Sequence, residues 1–162
     1  MTKRVSVRWD GELEFEGTDE GGATVRMSPS EDVYGPSALV LTALAGCTGM
    51  AAVSIMTKKK VAFETYHVEV SGEQREDYPR TFTRVIVEHI VTGSSIRDRD
   101  VARAIELSAG KYCVVGASLA SGDTRIDHRM RLTDERGERT CDCISIGPHG
   151  KGLSHYEGDA PA

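Results

Sequence analysis

No dense basic stripe runs through this sequence, and its absence removes one class of function at the outset. The chain carries 20 Lys and Arg against 25 Asp and Glu, a formal net charge of −5 with the signs interleaved. Binding a phosphate backbone needs clustered cations, so nucleic acid is not an expected partner. The one dense positive run is Lys58, Lys59 and Lys60, which suits a helix end meeting the negative pole of the dipole. The opening MTKRVSVRWDGELEFEG lacks an apolar core of signal-peptide length, so export by the general route is not expected. The four cysteines are then expected as thiols in a reducing compartment, the cytoplasm, rather than as a disulfide framework. No internal repeat is visible. Hydrophobic residues at 39% and charged residues at 28% of a 162-residue chain are values of one globular domain.

Charge is missing altogether between Pro36 and Met56, PSALVLTALAGCTGMAAVSIM. Length alone makes this a transmembrane candidate, and the following lysines resemble a membrane flank. The segment is rich in Ala, Gly, Ser and Thr, however, and the amphipathic strands around it need a core. The expectation is a helix buried on all sides in a globular assembly, with no membrane. Pro36 suits the first helical turn. Ala45, Gly46 and Gly49 remove side-chain bulk and admit another helix. One sheet cannot cover such a helix, so a second subunit is expected, in a homodimer.

The remaining pattern reads as strands and short helices. Val5, Val7 and Trp9 alternate with polar residues, Asp10-Gly11 signals a hairpin, and Leu13 and Phe15 resume the alternation. Gly21-Gly22 marks a second turn, and residues 23–27 supply a third strand. Tyr66, Val68 and Val70 alternate, as do Val85, Val87 and His89 against Phe82, Arg84, Ile86, Glu88 and Ile90. Residues 97–109 predict an amphipathic helix stopped by Gly110, residues 112–120 a second short helix, and residues 125–132 a last strand. The order β-β-β-α-β-β-α-α-β predicts an α+β domain of mostly antiparallel sheet over residues 1–132. Residues 133–162, charged and Gly-rich, are expected to be a mobile tail.

Two cysteines stand out. Cys47 sits on the small-residue helix, where a thiol is as readily a packed core group as a reactive one. Cys113 opens the short helix, where the dipole favours thiolate. In the tail, Cys141-Asp142-Cys143 with His149 and His155 offers an auxiliary redox pair or part of a soft-metal site. It lacks a full, well-spaced zinc signature, and a non-essential tail is expected instead. His67, His89 and His128 lie in strand patterns and are expected at the surface.

Two blocks, GPSALVLTALAGCTGMAAVSIM and ELSAGKYCVVGASL, resemble the signature segments of the OsmC/Ohr family of organic hydroperoxide reductases. The first resembles that family's central helix with its peroxidatic cysteine, and the second its Lys-Tyr-Cys-x-Val segment with the resolving cysteine. The strands between them and the early hairpin fall in the family's order, so the resemblance covers about residues 4 to 132. It implies an intertwined homodimer with active sites at the subunit interface. It implies too that Cys47 attacks a hydroperoxide to form a sulfenic acid, which Cys113 converts to a disulfide that an external dithiol, such as a lipoylated protein, reduces. No metal or other cofactor is implied.

A cysteine about three turns inside a helix gains little from the dipole. In the family an arginine from the preceding strands stabilises the thiolate, and Arg26 lies near the matching spacing. The family's glutamate that holds this arginine, near the start of the helix, is replaced here by Ser37 and Ala38. Two readings stand equally: Glu31 or Asp32, in the preceding loop, substitutes for it, or the arginine clamp is gone and peroxidase activity is weakened. Two other readings are an OsmC-like module that binds a hydrophobic ligand at the dimer interface without catalysis, favoured by the missing glutamate, and a membrane anchor over residues 36–56.

Overall fold

The computed structural model describes residues 1–148 and 150–152 and divides into two units, residues 1–42 and 43–162. In the first, β1 (Val5–Gly11), β2 (Glu14–Asp19) and β3 (Thr24–Met27) form an antiparallel meander in that order. The first turn falls on Glu12 and Leu13, two residues later than Asp10-Gly11 predicts. Gly11, at φ 112°, sits beside a register shift and Glu12 takes φ 46°, so the left-handed backbone needed for the reversal is shared between them. The second turn lies at the predicted Gly21-Gly22, where the Asp19 carboxylate accepts from the Gly21 and Ala23 amides at 2.8 and 2.9 Å. Val5, Val7 and Trp9 are all more than half exposed, leaving an apolar strand face uncovered in the single chain.

α1 (Pro36–Lys58) starts in the first unit and ends in the second. It is long and apolar enough to cross a membrane, yet it buries one row of side chains, Leu44, Thr48, Gly49, Ala52 and Met56. Burial on all sides is therefore not what the single chain shows. Met50, on the other side, is 73% exposed. Nothing in the helix's own pattern distinguishes the two sides, because both are apolar; only packing does.

In the second unit, β4 (Phe63–Gln74), β5 (Phe82–Gly93), β6 (Arg125–Asp134), β7 (Gly137–Gly147) and β8 (Gly150–Gly152) form one sheet in sequence order. All pairs are antiparallel except β5 with β6. A parallel pair needs a crossover, and residues between Gly93 and Arg125 supply it: α2 (Asp98–Leu107), a π-helical turn (Ser108–Tyr112) and α3 (Val114–Ala120). The chain winds on through Gly110 rather than stopping there. The Cys113 amide donates to the Ser108 carbonyl at 2.8 Å, the five-residue span of a π turn.

The amphipathic pattern of α2 puts Val101, Ala104 and Ile105 into a core with Met56, Val91, Met130 and Leu132. Each such large side chain contributes about 1.5–3 kcal/mol by leaving water. Gly93 is required by close approach: a Cβ there would lie 2.3 Å from the Ala62 carbonyl oxygen. The expected loose tail is corrected over residues 137–147. β7 pairs with β6 throughout, and Cys143 is fully buried in the same core. The pattern was masked because its inward positions include Arg139 and Cys141, and because a register shift opposite His128 and Arg129 buries both Cys143 and Ile144. His149 and His155 lie outside the described residues.

Candidate active site

Cys47 and Cys113 both belong to the second unit, and the structure brings them together, close enough that the Cys47 side chain helps raise the Cys113 pKa. Both are free thiols, Cys47 half-buried and Cys113 buried. Cys47 is carried on the middle of α1. Cys113 is the N-cap of α3, where its Sγ accepts from the Gly116 amide at 3.3 Å. Gly116 leaves room for this arrangement, since a Cβ there would come within 3.3 Å of Sγ and 3.4 Å of Leu44 Cδ1.

The electrostatics of Cys113 reverse the sequence expectation. The Gly116 and Val115 amides pull its pKa down, but burial outweighs them and the Cys47 neighbour adds to the rise, leaving the thiol pushed up to about 11. Desolvation of a thiolate exceeds what one turn of short helix returns. At neutral pH Cys113 is a protonated partner beside Cys47.

Two buried hydroxyls fix the geometry. Ser108 Oγ donates to the Thr48 carbonyl at 2.6 Å, and Thr48 Oγ1 lies 3.1 Å from Ser108 Oγ. With the one Ser108 hydroxyl hydrogen engaged on the carbonyl, Thr48 is the donor in the second bond. The residue after Cys47 is thereby locked to the π turn that ends on Cys113. Beside them runs an open groove of about 410 Å³, bounded by Ala51, Ser54 and Ile55 of α1 and by Leu107 and Tyr112, with Lys58 and Lys59 at its rim. Ala51 stands one helical turn beyond Cys47, on the same side of α1.

Arg26 lies on β3 of the first unit, with its side chain 70% exposed and Nη2 3.7 Å from Glu14 Oε2. The carboxylate beside it therefore comes from β2, and not from Glu31 or Asp32, which make no ion pair with it among the described residues. Ser37 and Ala38 are exposed in the first turn of α1, which carries no acidic residue. Glu14 was missed because the search ran along the chain toward the helix, whereas the pairing crosses strands.

The remaining candidates separate. Cys141 and Cys143 lie on β7, Cys143 in the core and Cys141 packed against it, and burial raises the pKa of both thiols. Among the described residues no group of three or more His, Cys, Asp or Glu is placed to hold a metal ion. His67 is exposed as expected. His89 and His128 are not: they are 0% and 1% exposed. Their inward position was readable from Val85, Val87 and Val91 around one and Ile126, Met130 and Leu132 around the other.

Comparison with known proteins identifies the fold and the family. Residues 29–129 match the family model described as OsmC-like protein. Protein YhfA of Escherichia coli K12 is 37% identical over 115 residues, 70% of this chain and 86% of its own. The OsmC-like protein of Mycoplasma pneumoniae superposes with a TM-score of 0.71 at 12% identity, covering 82% of this chain and 97% of that one. An organic hydroperoxide resistance protein OsmC from Legionella pneumophila does so with a TM-score of 0.59 at 12% identity, over 82% and 96%. The latter two share the fold. On the family match, its extent and the identity to YhfA, this chain belongs to the OsmC-like protein family.

Proposed function

We propose that this protein is a cysteine-based peroxidase that reduces organic hydroperoxides in a reducing compartment, the cytoplasm. The observation that carries the reading is the proximity of a half-buried thiol, Cys47, to a buried, protonated one, Cys113. Membership of a family whose named members include organic hydroperoxide resistance proteins supports it.

The reaction balances without a resident cofactor. The Cys47 thiolate attacks the outer oxygen of the peroxide, the O–O bond breaks, and the organic alkoxide leaves to take up a proton, giving Cys47 sulfenic acid and an alcohol. The Cys113 sulfur then attacks the sulfenic sulfur, and water departs as the disulfide forms. An external dithiol restores both thiols and is itself oxidised. The raised pKa of Cys113 fits the second role, since that thiol stays protonated at neutral pH. The groove past Ala51 offers apolar surface for the organic part of the substrate. Arg26 is proposed as the cation that favours the Cys47 thiolate. A second copy of the chain is proposed to cover the exposed face of α1 around Met50 and the apolar face of β1.

The test is dithiol-dependent consumption of cumene hydroperoxide by the protein and by Cys47→Ser. Turnover abolished by the substitution is expected. Equal turnover by the two proteins, or none by the parent with any of several dithiols, contradicts the proposal.

A further inference from the structure

Beneath α1 a chain of three polar side chains crosses the sheet from strand to strand. Tyr66 Oη on β4 lies 2.6 Å from His89 Nδ1 on β5, and His89 Nε2 lies 3.2 Å from His128 Nδ1 on β6. Both imidazoles are buried, and among the described residues His128 Nε2 has no hydrogen-bond partner. α1 rests on the tyrosine end of this chain. A Cβ on Gly49 would lie 3.4 Å from Tyr66 Cε1 and 3.8 Å from Tyr66 Oη, so the glycine lets the helix settle onto the phenol.

We propose that Tyr66, His89 and His128 form an acid-sensitive seat for the helix that carries Cys47, holding it while both imidazoles are neutral and loosening it when the pair takes up a proton. The proposal rests on the peroxidase reading only in naming Cys47 as the thiol so regulated.

The hydrogen-bond inventory defines what a proton would do. In the neutral chain the two bonds run in one direction, from Tyr66 through His89 to His128 or the reverse, and either way His128 Nε2 is left without a partner. One added proton makes one imidazole of the pair a cation with no counter-charge. A second sets two N–H groups against each other. No buried residue of α1, α2, the π turn or α3 is a carboxylate. The buried titratable groups presented from above and from β7 are the thiols of Cys113 and Cys143, both pushed up by burial. The strand neighbours Glu88 and Asp127 alternate to the outer face, where Arg131 and the pair Arg84 and Arg125 hold them. Asp127 still draws the His128 pKa upward a little, but burial dominates and lowers it to about 4. An uncompensated buried cation is relieved by exposure, and the least costly exposure lifts the helix end of the chain.

Amide hydrogen exchange over residues 44–56 tests this, because it reads helix seating and involves no peroxide chemistry. An inactive enzyme with an acid-sensitive helix would therefore refute the peroxidase reading while leaving the seat intact. Between about pH 7.5 and about pH 5, protection corrected for intrinsic exchange is expected to fall by about tenfold or more in the parent. It is expected to stay level in His89→Leu/His128→Leu, where both polar partners are removed together. No fall in the parent, or an equal fall in the double variant, overturns the proposal. Should the double variant fail to fold, Tyr66→Phe decides: loss of the hydroxyl alone is expected to lower protection of residues 44–56 at neutral pH, and unchanged protection there overturns it.

Discussion

Ser108 Oγ donates to the Thr48 carbonyl at 2.6 Å in a fully buried setting, and this bond ties the segment ending on Cys113 to the helix turn that carries Cys47. The Cys113 amide in turn donates to the Ser108 carbonyl. The distance between the two thiols is thus held by backbone as well as by side chains. Ser108→Ala removes the tie and leaves Thr48 Oγ1 and its carbonyl unpartnered by that hydroxyl. The expected cost is about 1–3 kcal/mol in urea unfolding. Disulfide formation after one equivalent of peroxide should also slow more than the initial oxidation of Cys47. Equal slowing of both steps would mean that Ser108 only supports the fold.

Stability should depend on pH through the buried histidines. Burial lowers His128 from its ordinary 6.5 to about 4, and His89, also repelled by His128, lies well below its ordinary value. The unfolded chain therefore binds more protons than the folded one between those limits. The stabilisation is complete above about pH 6.5 and is lost as pH falls toward 4. For His128 alone it amounts to about 3 kcal/mol. Urea midpoints of the parent measured at pH values across this window should fall with acid, and those of His89→Leu/His128→Leu should fall less. Parallel curves would show that the pair does not titrate in this window.

Replacing the β7 cysteines should separate stability from activity. Cys143 is fully buried among Met130, Leu132 and α2, so Cys143→Ser places a hydroxyl in the core at a cost of about 1–3 kcal/mol. Cys141→Ser/Cys143→Ser is expected to unfold at lower urea while keeping the parent's peroxide turnover below the transition. Loss of turnover in a folded double variant would assign these thiols a redox role.

Arg26 makes an exposed ion pair with Glu14, and such pairs contribute little to stability. Arg26→Ala should leave the urea midpoint within about 0.5 kcal/mol of the parent's stability. It should nevertheless slow alkylation of Cys47 at neutral pH, measured with Cys113, Cys141 and Cys143 replaced. Ser37→Glu, which restores a carboxylate at the start of α1, should speed it. Alkylation that proceeds identically in Arg26→Ala and the parent removes Arg26 from the site.

Much of this could be read from the chain because local pattern and packing agree over most of it. The order of strands and helices through β6 and the uncharged segment with Cys47 are local features, whereas Gly110 reads as a stop but is wound into the π turn. What escaped was set by partners distant in sequence. β7 hides its alternation behind Arg139, Cys141 and a register shift. His89 and His128 each share an inward strand face with apolar neighbours, but that they meet as a pair is set only when β5 and β6 lie side by side. Cys113 looks activated at a helix start, but the core around it reverses the balance. The two sides of α1 are equally apolar, so only the fold decides which one the chain covers.

The proposed division of labour between Cys47 and Cys113 is tested most directly by intact-protein and peptide mass spectrometry after one equivalent of cumene hydroperoxide. The parent is expected to lose two hydrogens and yield a single cross-linked species joining the peptides of Cys47 and Cys113. Cys113→Ser is expected to gain one oxygen on Cys47, trapped there by a sulfenic-acid reagent, and to stall. Oxygen gained on Cys113 in Cys47→Ser at the parent's rate, or a parent disulfide that excludes either residue, would contradict the account.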